Sequence, residues 1–269
     1  MYSVEPCLKY FLIQTVSSAI FICSILRSDR LNILVLFRLL IKLGVWPAYI
    51  WFINVCLKLN WVNFFFLLRI QKITGLYIYS CCLKNIFIFT VIFINIFWGL
   101  LSSLNQTNLR LIFCFISIVH QSWIIIRCIY SIFLIFNYFF FYTLIILTPT
   151  FYLNKYDISG LNKRLSLILI LSLNLNLIIR LISIRGIPPF NGFFIKLYTL
   201  LCLFKYNPDF YLICFFLLFS SLISVYVYTR LIYVISIKIN FNNFLAKGEK
   251  AFIFFNFFFN ITPLFIFFF

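Results

Sequence analysis

The sequence predicts an all-α fold, a polytopic transmembrane helix bundle in which two discontinuous helices are related as an inverted repeat. Three observations carry that prediction. Of 269 residues, 65% are apolar and 10% charged, too little polar material to cover a soluble domain. Apolar runs of about 20 residues, each sufficient to cross a hydrocarbon core as a helix, span nearly the whole chain, whereas a barrel needs short alternating strands that the sequence lacks. Two of those runs are broken by glycine and proline next to a lysine.

Read in order, about nine spans emerge, at 8–25, 31–56, 61–81, 85–104, 108–127, 129–150, 164–205, 209–237 and 251–269. They are joined mostly by short loops and form a single membrane domain over 1–269. The second span carries Lys42 and is then interrupted at Gly44 and Pro47, in Ile-Lys-Leu-Gly-Val-Trp-Pro-Ala-Tyr-Ile-Trp. Arg38 lies four residues before Lys42 and shares its helix face. The third span holds Arg69 and Lys72, and its place next in sequence can bring Lys72 near Lys42. The fifth contains the single histidine, His120, with Ser117 one turn earlier; an imidazole there suits proton relay as well as a structural hydrogen bond. The loops at 151–163 and 238–250 are longer and carry the Asn, Asp, Lys and Gly of solvated linkers.

The seventh span is the most heavily interrupted, with Gly186, Pro188, Pro189 and Gly192 close together and Lys196 just beyond. Proline removes a backbone donor and clashes with the preceding turn, so the helix stops or bends and leaves backbone groups without intrahelical partners. At membrane depth such a break is tolerated only where protein buries it or it lines a wet cavity. Interrupted spans in corresponding positions, each beside a lysine, are the sequence mark of an inverted-repeat transporter core. A lysine at a helix centre costs roughly 2.5–3.5 kcal/mol on insertion scales, which makes Lys42, Lys72 and Lys196 candidates for function. Arg180, Arg185 and Arg230 are read as snorkelling side chains near a helix end or the break.

Basic residues outnumber acidic ones, 22 to 5, for a formal charge of +17, and the acids Glu5, Asp29, Asp157, Asp209 and Glu249 all lie in or beside expected loops. Such a balance suits anionic lipid such as cardiolipin, or acidic neighbouring subunits. Dispersal of the cations among the spans argues against nucleic-acid binding. Their distribution across alternating loops places the N-terminus and both longer loops on the cytoplasm-equivalent side. The 9 cysteines, with no C-x-x-C among them, read as small buried hydrophobes, and 1 histidine leaves no metal site that this chain builds alone. Abundant Phe, Tyr, Ile and Asn beside 1 Met point to an A/T-rich organellar genome. No cleavable presequence precedes the first apolar run, which fits synthesis inside the organelle.

Several short stretches, weak alone, are specific in this order. They are Lys-Tyr-Phe-Leu-Ile-Gln at 9–14, Lys-Leu-Gly-x-x-Pro with Trp51 at 42–51, Gln-Lys-Ile at 71–73 and Leu-Asn-Gln-Thr-Asn-Leu-Arg at 104–110. Ser-Ile-Val-His-Gln-Ser-Trp at 117–123, Gly-Ile-Pro-Pro-Phe-Asn-Gly-Phe-Phe-Ile-Lys at 186–196 and Tyr-Val-Tyr-Thr-Arg-Leu-Ile-Tyr at 226–233 complete the set. Over nearly its whole length the chain resembles the antiporter-like subunit 2 family of NADH:ubiquinone oxidoreductase, respiratory complex I. That resemblance implies an antiporter-like inverted repeat and a proton-translocating role driven by redox chemistry elsewhere in the complex. It makes Lys42, Lys72 and Lys196 members of a proton path, with His120 as a further element, and Gly44, Pro47, Gly186, Pro188, Pro189 and Gly192 the residues of the helix breaks.

The resemblance further implies other membrane-arm subunits as partners and a mitochondrial inner membrane location, with the gene in the mitochondrial genome. No flavin, iron–sulfur or nucleotide motif is present, so no cofactor or redox centre is expected in this chain. Departures are visible: Ala48-Tyr49-Ile50-Trp51 replaces a family Phe-His-Phe-Trp, and Arg185 stands where a small residue is usual. The family's intramembrane glutamate lies upstream of Met1, so a separate chain supplying N-terminal helices and an acidic residue is expected. Two alternatives remain at this stage, a structural membrane-arm subunit without its own pumping and a stand-alone cation/proton antiporter.

Overall fold

A computed structural model describes residues 4–26, 31–82, 87–128, 132–155, 181–184, 186, 190–206 and 211–237. The described residues form helices and no strand element. In chain order these are α1 Val4–Leu26, α2 Leu31–Leu43, α3 Tyr49–Lys58, α4 Trp61–Leu68, α5 Ile70–Cys82, α6 Phe87–Leu104, α7 Leu109–Cys128, α8 Ile132–Lys155, α9 Asn191–Tyr206 and α10 Tyr211–Ile237. Stretches Val4–Ser24, Leu109–Arg127, Phe133–Phe151 and Tyr211–Ile232 are long and apolar enough to cross a membrane. The chain divides into two compact units, Met1–Asn137 and Tyr138–Phe269, with the division inside α8.

In the first unit α7 is the hub. It packs on α3, α5 and α6, and almost every residue from Ile112 to Arg127 is buried. By contrast α1 turns Leu8, Phe11, Leu12, Val16 and Ile22 outward, as a lipid-facing helix does. Lipid tails are as apolar as leucine, so association in a bilayer relies on close packing at small residues. Gly99 of α6 supplies that here: a Cβ on it would lie 2.7 Å from Val119 Cγ2 and 3.1 Å from the Phe115 carbonyl of α7. Gly75 of α5 likewise admits Leu43 of α2. Glu5 accepts from Lys9 and from Lys58, each at 2.5 Å, tying the start of α1 to the end of α3.

Two expectations are corrected. The third span, expected continuous over 61–81, is divided at Arg69, which leaves helical geometry at φ −121°, ψ −75°. Its N–H is shared between the Phe65 and Phe66 carbonyls at 3.1 and 3.3 Å, and Lys72 N–H restarts the ladder on the Arg69 carbonyl at 3.0 Å. Nor does the sixth span stop at 150, since α8 runs through Pro149 to Lys155 and takes the first residues of the expected loop 151–163. A proline there strips the Ile145 carbonyl of its helical donor, and the Thr148 hydroxyl donates to it at 3.5 Å. Residues 164–180 and 251–269 of the expected spans lie outside the described residues.

Candidate functional site

The chain between α2 and α3 covers Gly44 to Ala48. Here α2 ends in a paired closure: Gly44 N–H donates to Ile41 O and Val45 N–H to Leu40 O, both at 3.1 Å. That closure needs the left-handed conformation at its first residue outside the helix, and Gly44 has φ 64°. A side chain would also be barred sterically, since a Cβ at Gly44 would stand 2.8 Å from Phe52 Cβ. Free backbone groups of the break find partners from elsewhere. Trp46 N–H donates to Asn95 Oδ1 of α6 at 2.9 Å, and Trp51 Nε1 donates to the Ile41 carbonyl at 3.0 Å. Pro47 lies in the middle of this segment and is exposed.

Lys42 sits in the last turn of α2 and is half-buried, with the buried Arg38 one turn earlier. The Arg38 guanidinium lies 3.4 Å from the Phe21 ring centre of α1. Lys72, on α5, is more enclosed, at 2% exposed. Its Nζ has no hydrogen-bond acceptor among the described residues and rests over the Phe52 ring, 4.4 Å from the centre. A cation over an aromatic face in a desolvated setting gains about 2 kcal/mol, which offsets only part of its desolvation. The same Phe52 thus packs against Gly44 and carries the Lys72 ammonium over its ring.

His120 is buried on α7, where Ser117 Oγ donates to the Cys114 carbonyl at 2.7 Å. Because α5 packs on both α2 and α7, the first unit gathers the helices bearing Lys42, Lys72 and His120. Arg110 stands near the foot of α7, donating to the Leu57 carbonyl at 3.0 Å and lying 5.2 Å from the Trp61 ring centre.

The second unit holds Lys196. Residues 181–184 are helical, and Gly186 N–H donates to the Ser183 carbonyl at 3.3 Å. Gly186 has φ 80°, and a Cβ on it would meet the Lys196 side chain at Cδ, 3.3 Å away. Gly192, in the first turn of α9, is pressed on the Ser183 carbonyl so closely that a Cβ would collide with it. Lys196 itself is 7% exposed. Pro188, Pro189 and Arg185 lie outside the described residues. Each unit therefore presents one motif, a left-handed glycine ending a helical segment and packed within one side chain of a buried lysine.

Glu5 is the one carboxylate among the described residues, and it is engaged by Lys9 and Lys58 at exposed helix ends. Among those residues no group of His, Cys, Asp and Glu comes together as a metal site. Two participants were not legible beforehand. Asn95 satisfies the break across 49 residues of sequence, a separation that no local pattern reveals. Phe52 carried no signal among so many phenylalanines.

The model of the family described as NADH:quinone oxidoreductase/Mrp antiporter, TM, matches residues 28–224. NADH-ubiquinone oxidoreductase chain 2 of Artemia franciscana is 37% identical over 230 residues, covering 84% of this chain and 73% of its own length. The chain belongs to the NADH-ubiquinone oxidoreductase chain 2 family. The Anopheles gambiae member is 32% identical over 275 residues, covering 92% of this chain and 79% of its own. Among solved structures, a chain of respiratory complex I from Thermus thermophilus with bound Aureothin superposes at TM-score 0.78, with 17% identity, over 97% of this chain and 66% of that one. A chain of the membrane-bound sulfane sulfur reductase, an archaeal respiratory membrane complex, gives 0.76 with 15% identity, over 97% and 62%. At these identities the superpositions establish the antiporter-like fold.

Proposed function

We propose that the chain is a proton-translocating membrane-arm subunit of respiratory complex I, working within NADH:ubiquinone reductase and carrying no redox centre itself. The observation that carries this reading is the repeated pairing of a left-handed glycine at a helix break with a buried lysine, Gly44 through Phe52 to Lys72 and Gly186 directly to Lys196. Buried lysines with alternatives to full solvation can exchange a proton when a neighbouring charge approaches or withdraws. A carboxylate brought within about 4–6 Å favours the charged amine, and its removal favours the neutral one. Lys42, Lys72, His120 and Lys196 pass protons laterally by way of water, and electron transfer elsewhere in the complex drives the charge displacements. Gly44, Pro47 and Gly186 interrupt the helices where water must reach those lysines, Gly192 lets the next helix start close against the second break, and Pro188 and Pro189 are assigned to that break from the sequence.

Membership of family chain 2 supports other membrane-arm subunits as partners, one of which presents a carboxylate to Lys42. The formal charge of +17 favours contact with anionic lipid such as cardiolipin. Kinship with animal members and the organelle-like composition support residence in the mitochondrial inner membrane and a mitochondrial gene. Proton uptake by vesicles containing the complex with Lys72→Ala tests the reading. Pumping falls while the subunit still assembles; full coupled pumping would remove Lys72 from the path and leave a structural role for this region.

A further inference from the structure

Asn95 of α6 spends only half of its amide on the contact with Trp46. Its Oδ1 accepts from Trp46 N–H at 2.9 Å, and because an N–H needs an oxygen opposite it, that bond also fixes which end of the amide is nitrogen. The residue is 1% exposed, and its Nδ2 is buried without a hydrogen-bond acceptor among the described residues. Such an amide nitrogen carries N–H donors, and folded proteins supply buried donors with a protein acceptor or an ordered water.

Acceptors stand at the same place in the fold. In a continuing α2 the Lys42 carbonyl would take Trp46 N–H, and the Leu43 carbonyl would take the N–H four residues beyond it. The first donor is drawn off by Asn95, and the second position is Pro47, which has no N–H. The paired closure by Gly44 and Val45 serves the Ile41 and Leu40 carbonyls and leaves these later ones aside. Helical carbonyls point to the C-terminal end, so both face the segment on which the Asn95 amide is anchored. Leu43, Gly44 and Val45 are buried and Pro47 is exposed, so the break leads from the interior of its unit to the surface.

We propose that Asn95 Nδ2 and the Lys42 and Leu43 carbonyls hold a water molecule at the first helix break. A donor set beside carbonyl acceptors suits a ligand that accepts on one side and donates on the other, as water does. A metal cation would meet the positive end of the amide, and an anion would meet the carbonyl oxygens. Buried waters make about three hydrogen bonds, a number these groups can supply.

Asn95 then does more than tie down the backbone of the break: it positions a proton carrier there. Gly44 packs on Phe52, and Phe52 carries the Lys72 ammonium, so one aromatic side chain links the wetted break to that lysine. This consequence rests on the proposed role of Lys72; binding of the water does not.

The test uses the intact complex. Electron cryo-microscopy at a resolution where ordered waters are visible is expected to show density about 2.7–3.2 Å from Asn95 Nδ2 and from the Lys42 or Leu43 carbonyl oxygen. A map that resolves other buried waters of this subunit but none there, or that places a protein or lipid group on Nδ2, overturns the site. Asn95→Leu should lose the density, whereas Asn95→Ser, whose hydroxyl both donates and accepts, should retain a water. In reconstituted vesicles at matched subunit content, protons moved per electron pair should fall in Asn95→Leu and recover in Asn95→Ser, a ratio that loss of assembled complex alone does not change. Density in the parent with an unchanged ratio in Asn95→Leu would keep the water and overturn its part in proton transfer. Full pumping in Lys72→Ala would remove the relay and leave the water site standing.

Discussion

The ammonium of Lys72 lies 4.4 Å from the centre of the Phe52 ring. Phe52 also fills the space that a side chain at Gly44 would take, so one aromatic residue joins the first helix break to a lysine that is 2% exposed. Phe52→Leu keeps an apolar filler but removes the aromatic face, forfeiting about 0.5–2 kcal/mol of cation–π attraction. The expected outcome is an assembled complex with fewer protons moved per electron pair. A variant that pumps at the ratio of the parent would show that the ring serves packing alone.

Lys196 is enclosed and in contact with the Gly186 position. Lys196→Ala should lower coupled proton transfer by at least about tenfold, since positioned proton-transfer groups contribute about a hundredfold or more. Proton uptake by reconstituted vesicles at matched subunit content provides the measurement. A loss no larger than the loss of subunit would mean that Lys196 matters only for assembly.

The glycines of the second break should differ in tolerance. At Gly186 an alanine meets a positive φ, costing about 1–2 kcal/mol, and its Cβ would stand 3.2 Å from the Gly192 carbonyl and 3.3 Å from the Lys196 stem, tight but short of collision. At Gly192 it meets the Ser183 carbonyl, which is backbone and cannot swing aside. Gly192→Ala is therefore expected to cut the amount of assembled complex on native gels more than Gly186→Ala does. The reverse order would contradict the packing.

Asn95→Leu leaves the Trp46 N–H without its acceptor, a loss of about 1–3 kcal/mol for a buried group. Amide exchange at Trp46 should accelerate more than exchange along α7. Equal protection in parent and variant would show that another acceptor replaces Asn95.

Much of this architecture follows from composition alone, because a bilayer-length apolar run has few alternatives to a helix. Gly44, Pro47 and Gly186 announced their breaks through backbone chemistry that other residues cannot match. Arg69 announced nothing, because Arg is an ordinary helix former. The end expected at 150 was wrong in the opposite direction, since the helix runs on through Pro149 to Lys155, with the Thr148 hydroxyl donating to the Ile145 carbonyl. The lysines were found because charge is costly in an apolar run. Phe52, which carries Lys72, and Asn95, which carries the Trp46 N–H, were not, because the meaning of each depends on a distant stretch of chain.

The shared hydrogen bond at Arg69 has a mechanical corollary. Its N–H is held by two successive carbonyls, Phe65 and Phe66, so either can release while the other keeps hold. Flexing there needs no peptide to lose its last acceptor, and α5 can tilt on α4 as on a swivel. Lys72 is three residues beyond the pivot, so a tilt there is carried to the side chain that rests over the Phe52 ring. The bundle thus contains a joint three residues from a buried lysine, built without the glycine or proline that usually marks such a joint.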